Sequence, residues 1–166
     1  ATTEIYTLSL HDALPILLSA CTEIGAISSG ASAEVIALCR EFGEYLGYCF
    51  QIKDDIFDYF KEANIGKPTG NDIREGKVTL PLLYALRQGR EEEAARYLDM
   101  ILRKDFAAEN VDSLIEFAKA NGGIEYAEAR MKEYHDKAVD VLLRLPESGA
   151  RTSLIQLADY IMTRSK

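Results

Sequence analysis

From Ala33 to about Lys61 the chain runs without a proline while apolar residues recur three and four positions apart. A stretch of that length and period is a long helix that must bury one face against other helices. Gly43 and Gly47 sit one turn apart within it, and small residues at that spacing let a second backbone come close. Upstream, residues 17–29 are small and apolar and predict a buried helix, closed by a break or cap at Gly30 or Ser32. Downstream, Ala63 to Val78 carries Gly66, Pro68, Gly70, Asn71 and Gly76, too many turn formers for a helix, and predicts a loop.

Helix resumes at Leu80–Leu86 with Pro81 in its first turn, then at Glu91–Arg103 with acids leading and bases trailing. Asn110 is the expected N-cap of Val111–Ala120, and Asn121-Gly122-Gly123 its stop. Ile124–Leu145 and Ala150–Thr163 complete the series, separated by Pro146-Glu147-Ser148-Gly149. With 48% hydrophobic residues in 166, the chain can supply a real core. The expected class is all-α, as one compact domain or part of one.

Charge narrows the partners. The formal net charge is -8 and the pI about 4.8, which argues against nucleic acid, whose affinity comes largely from Lys and Arg on phosphates. The first basic residue is Arg40, so residues 1–39 hold neither the basic n-region of a signal peptide nor an Arg-rich transit sequence. No apolar run approaches the roughly 18 residues of a membrane span. The expectation is a cytoplasmic protein with no transmembrane segment. Cys21, Cys39 and Cys49 form no C-x-x-C pair, lie among apolar neighbours and read as reduced core cysteines.

The informative segment is Gly47-Tyr48-Cys49-Phe50-Gln51-Ile52-Lys53-Asp54-Asp55-Ile56-Phe57-Asp58. At about 100° per residue, Gln51, Asp54 and Asp58 fall within roughly 60° of one another and Asp55 within roughly another 60°. Ile52, Ile56, Tyr59 and Phe60 make the apolar stripe behind them. Carboxylates one turn apart repel, and Asp is a poor helix former, so stability alone does not favour the arrangement. A solvated acidic face is the plain alternative. The chemistry such spacing permits is retention of Mg²⁺, which takes oxygen ligands, keeps water and bridges carboxylates to phosphates. In the loop, Lys67 and Lys77 each follow a glycine, an arrangement suited to phosphate oxygens but also found on ordinary surfaces.

Taken together, Phe50-Gln51-Ile52-x-Asp54-Asp55-x-x-Asp58, Gly66-Lys67-x-x-Gly70-x-Asp72 and Gly76-Lys77-x-Thr79-Leu80-Pro81 resemble the second aspartate-rich region and following loop of polyprenyl (trans-isoprenyl) diphosphate synthases. Ser19-Ala20-Cys21 and Gly25-Ala26 also fit. The resemblance implies part of the isoprenoid synthase helical bundle and a prenyltransferase that condenses isopentenyl diphosphate with an allylic prenyl diphosphate by Mg²⁺-assisted ionisation. By resemblance, Asp54, Asp55 and Asp58 would hold Mg²⁺, with Asp54, Asp55 and Gln51 as catalytic residues. Gln51 would lie beside the allylic cation, Phe50 would line the pocket for the allylic chain, and Lys67 and Lys77 would bind the substrate diphosphate. The intact enzyme would be a homodimer.

The family's first aspartate-rich motif has no counterpart before Asp54, and the Lys-Thr pair expected near Ala13 and Leu14 is missing. Residues 1–16 therefore read as an atypical segment foreign to the family, with residues 17–166 as the C-terminal portion of a synthase domain whose N-terminal helices are missing. The expected consequence is an incomplete and nearly inactive chain. A non-catalytic small subunit of a heteromeric synthase is the alternative, and a terpene cyclase a weaker one because its second metal motif differs. His11 and Asp12 read as incidental, and His135 as surface.

Overall fold

The computed structural model describes residues 13–60 and 69–164. All regular structure among them is helical: α1 Ala13–Ser28, α2 Ala33–Phe57, α3 Asn71–Arg74, α4 Leu80–Gln88, α5 Glu91–Leu102, α6 Ala108–Ala120, α7 Gly123–Leu143 and α8 Gly149–Thr163. No helix among the described residues is long and apolar enough to cross a membrane. The chain divides into two compact units, with the divisions falling inside α2 and α7.

The first unit comprises residues 13–53 and 130–164. Its α1 lies against α2 at the two glycines the sequence singled out. A Cβ on Gly43 would stand 2.5 Å from the Leu18 carbonyl oxygen, and one on Gly47 would stand 2.8 Å from the Pro15 nitrogen, so only glycine admits the neighbouring backbone. The Ser19 hydroxyl donates to the Arg40 carbonyl at 3.0 Å across the same seam. On the other side of α2, Tyr48 stacks on Tyr134 of α7 at 4.8 Å, and the Cys49 thiol donates to the Met131 carbonyl at 3.4 Å. Leu38, Phe42, Leu46, Met131, Leu142 and Ile161 fill the core. Arg164, just past α8, lies 4.0 Å over the Phe50 ring, and the Lys53 ammonium donates to the Met162 carbonyl at 2.8 Å.

The second unit spans residues 54–129. Here α4 packs on α5 and α6, and Leu82, Ala85, Val111, Leu114 and Ala118 are fully buried. Tyr84 stacks on Tyr126 at 4.1 Å, and Tyr97 tilts onto Phe117 at 4.4 Å. Pro81 sits in the first turn of α4, and Gly122 turns the chain between α6 and α7 with φ +73°, as the breaker pattern foretold.

Several expectations shift. Helix α1 begins at Ala13, within the segment that the sequence set apart, and Pro15 is buried. Helix α6 begins at Ala108, and Asn110 does not cap it; its side chain instead donates to the Asp105 carbonyl at 3.2 Å. Cys49 is a core thiol, but Cys39 is half-buried and Cys21 exposed; α1 meets α2 through Pro15, Leu18 and Thr22, not Cys21. His135 is largely covered rather than open surface: its side chain is 17% exposed, with Nε2 2.8 Å from Asp159 and Nδ1 3.2 Å from Asp136. Phe60, expected behind the acids, is exposed because α2 has ended before it. His11, Asp12, Lys61 and Lys67 lie outside the described residues.

Candidate functional site

Helix α2 stops at Phe57, and the next three residues tighten. The Asp58, Tyr59 and Phe60 amides donate to the carbonyls three positions back, Asp55, Ile56 and Phe57, at 3.1–3.3 Å. Their cause is tertiary. The Tyr59 ring is buried, with its hydroxyl 2.8 Å from Thr79 Oγ1, and the Asp58 carbonyl accepts the Gly70 amide at 2.9 Å. Burial pushes the Tyr59 phenol up, so it stays neutral. The 3.6-residue spacing that placed three carboxylates on one face therefore expires before the third.

The aspartates occupy different settings. Asp54 is exposed, whereas Asp55 is 2% and Asp58 7% exposed. Asp58 directs both carboxylate oxygens at backbone amides. Asn71 N–H donates to Oδ1 and Asp72 N–H to Oδ2, each at 3.0 Å. Together they fix the first turn of α3, a single helical turn inside the expected loop, and Ile73 of that turn is buried. The turn is entered through Gly70 at φ +73°, where a Cβ would strike Val111 Cγ1 and stand 3.1 Å from Ile115 Cδ1.

Lys77 follows directly. Its amide donates to the Asp72 carbonyl at 2.8 Å, and its ammonium lies 3.0 Å from Asp72 Oδ1 and 2.7 Å from Glu75 Oε2. The hydrogen bonds that the ammonium donates to Glu75 first and Asp72 second raise its pKa, keeping the charge present at any neutral pH. Asp72 stood in the sequence pattern without a role, and Glu75 was not singled out. The signal available for both was proximity in sequence to a glycine-flanked lysine.

Among the described residues no group of three or more His, Cys, Asp or Glu side chains stands together as a metal-binding cluster. Asp54 presents an exposed carboxylate, the type of oxygen donor that a hard cation takes. Gln51 and Phe50 lie on α2 in the other unit, both half-buried.

A sequence model of the polyprenyl synthetase family matches residues 13–118. The short chain isoprenyl diphosphate synthase of Methanothermobacter thermautotrophicus is 35% identical over 164 residues, covering 98% of this chain and 50% of that protein. The crystal structure of geranylgeranyl pyrophosphate synthase from Bacteroides thetaiotaomicron is 44% identical with a TM-score of 0.84, covering 91% of this chain and 50% of that one. A geranylgeranyl pyrophosphate synthase from Corynebacterium glutamicum, solved with calcium and isoprenyl diphosphate, is 32% identical with a TM-score of 0.78, covering 92% and 47%. The chain spans about half the length of the relatives it matches.

Proposed function

The chain belongs to the polyprenyl synthetase family and shares its all-α fold, and on that premise we propose that it carries the diphosphate-binding part of a prenyltransferase. The substrates on this reading are an allylic prenyl diphosphate and isopentenyl diphosphate, joined with loss of the allylic diphosphate, and the working assembly is a homodimer. One observation carries the proposal. Asp58 ties the acidic end of α2 to the turn that holds Lys77, so acids and a permanently charged lysine belong to one structural element pair.

In the proposed site Asp54 and Asp55 offer carboxylate oxygens to Mg²⁺, with Asp58 completing the sequence motif. The cation, when bound, supplies charge that stabilises the departing diphosphate. Lys77 contributes a positive charge whose direction is set by Asp72 and Glu75, and Lys67 adds a second. Gln51 and Phe50 are assigned to the allylic cation and the allylic chain by the family resemblance. The calcium and isoprenyl diphosphate of the Corynebacterium glutamicum enzyme support this choice of ligands. No observation favours the non-catalytic small subunit.

The test is calorimetric titration of the 166-residue chain with a non-hydrolysable allylic diphosphate analogue, with and without Mg²⁺. Binding is expected only with Mg²⁺ and is expected to vanish in Asp54→Ala/Asp55→Ala. Equal binding without the cation, or undiminished binding in the double variant, would overturn the assignment.

A further inference from the structure

Both Asp58 oxygens are spent on amides 3.0 Å away, the side chain is buried, and its own carbonyl holds the Gly70 amide. A carboxylate accepting two N–H groups at the head of a helical turn is a capping arrangement, favoured by charge as well as geometry. What the cap secures is Asp72, whose carbonyl and carboxylate both hold Lys77.

We propose that Asp58 is a positioning residue for Lys77: it fixes the Gly70–Arg74 turn, the turn orients Asp72, and Asp72 aims the lysine ammonium at the diphosphate. The proposal deepens the function given above and rests on Lys77 meeting diphosphate. It assigns Asp58 a role separate from the cation that Asp54 and Asp55 would hold.

The consequences differ from those of a metal ligand. Asn at position 58 keeps one acceptor oxygen and turns an NH₂ towards the other amide, while Ala keeps no acceptor. Positioning therefore predicts a graded order, Asp above Asn above Ala. A ligand role predicts that Asn and Ala both lose cation affinity.

The experiment uses the full chain and its Asp58→Asn, Asp58→Ala and Asp72→Asn variants, with three readouts. Amide hydrogen exchange at Asn71 and Asp72 should accelerate roughly tenfold in Asp58→Asn, the scale of one lost hydrogen bond to a charged group, and further in Asp58→Ala. The titration midpoint of the Lys77 ammonium, followed by NMR, should fall towards the ordinary lysine value in Asp58→Ala and in Asp72→Asn. Inorganic diphosphate binding in Mg²⁺ should weaken roughly tenfold in the same variants, while Mn²⁺ affinity, read from paramagnetic broadening, stays within about twofold. Asp72→Asn leaves the Asp58 cap intact and so reports on Lys77 even where Asp58→Ala fails to fold.

Loss of Mn²⁺ affinity in Asp58→Asn with the two amides still protected would overturn the proposal and make Asp58 a ligand. An unmoved Lys77 midpoint in both Asp58→Ala and Asp72→Asn would overturn it as well. If the parent chain binds no diphosphate, the functional reading falls and takes the aim at diphosphate with it. The exchange and lysine readouts then still decide whether Asp58 positions Lys77.

Discussion

Three glycine-to-alanine substitutions should move stability in opposite directions for one geometric reason. Alanine is favoured over glycine inside a helix by about 0.8–1.0 kcal/mol. At Gly25, within α1, no other described atom lies within 4 Å of an added Cβ, so that gain should be realised in full. At Gly47 the new methyl would stand against Pro15 Cα and 2.8 Å from Pro15 N. At Gly43 it would meet the Thr22 hydroxyl and stand 2.5 Å from the Leu18 carbonyl oxygen. Ordinary contact begins near 3.4 Å, and the blocking atoms are largely backbone, so α1 would have to retreat from α2 by about 1 Å, which is overpacking at a cost of roughly 1–3 kcal/mol. Net of propensity, each of these two variants should lose up to about 2 kcal/mol. For a chain of this size that is a fall in melting temperature of up to roughly 8 °C, against a rise of roughly 2–4 °C for Gly25→Ala. Urea and thermal denaturation followed at 222 nm would measure all three. A stabilised Gly43→Ala or Gly47→Ala would refute the close helix seam and with it the placement of α1 on α2.

Tyr59 and Thr79 share a buried hydrogen bond, so Thr79→Val should cost roughly 1–3 kcal/mol. Adding Tyr59→Phe should cost less than the sum of the singles, a coupling that a double-mutant denaturation cycle would detect. Alkylation at pH 8 should modify Cys21 quickly and Cys49 only after denaturant is added, as peptide mapping would show. Burial pushes the Cys49 thiol up to about 12. Its contribution to stability is thus complete below the unfolded value of about 8.5, declines as pH rises above that, and is lost as pH passes through about 12. The urea midpoint should accordingly drop more steeply from pH 8 to pH 10 in the parent chain than in Cys49→Ala, and equal slopes would refute it.

Most helices were legible because their signals are local. The period of α2, the proline of α4, the acids that open α5 and the glycine that turns after α6 each act within a few residues. Helix α1 was legible as apolar, but it is not the buried helix expected, since only Pro15 and Ala26 of its residues are buried, and its orientation could not be read. A helix apolar all round gives no moment to show which side is covered. The side towards α2 is set by Leu18, Thr22 and Pro15 fitting Gly43 and Gly47, which leaves Ile16, Leu17, Ile24 and Ile27 more than half exposed. Turn α3 was missed because its stability comes from a carboxylate thirteen positions upstream, which no window of turn propensities contains.

The same distance effect governs how far the acidic motif could be understood from spacing. A 100° step places Asp54 and Asp58 together only while the helix persists, and the helix ends at Phe57 because Tyr59 and the Asp58 carbonyl find partners in Thr79 and Gly70. Beyond that point the carboxylate of Asp58 faces amides that would otherwise open a short turn uncapped, and a buried anion with two N–H donors has little reason to leave them. Asp54, still within the helix, is exposed. The setting of Asp58 is thus fixed by residues 70–72, outside the motif itself.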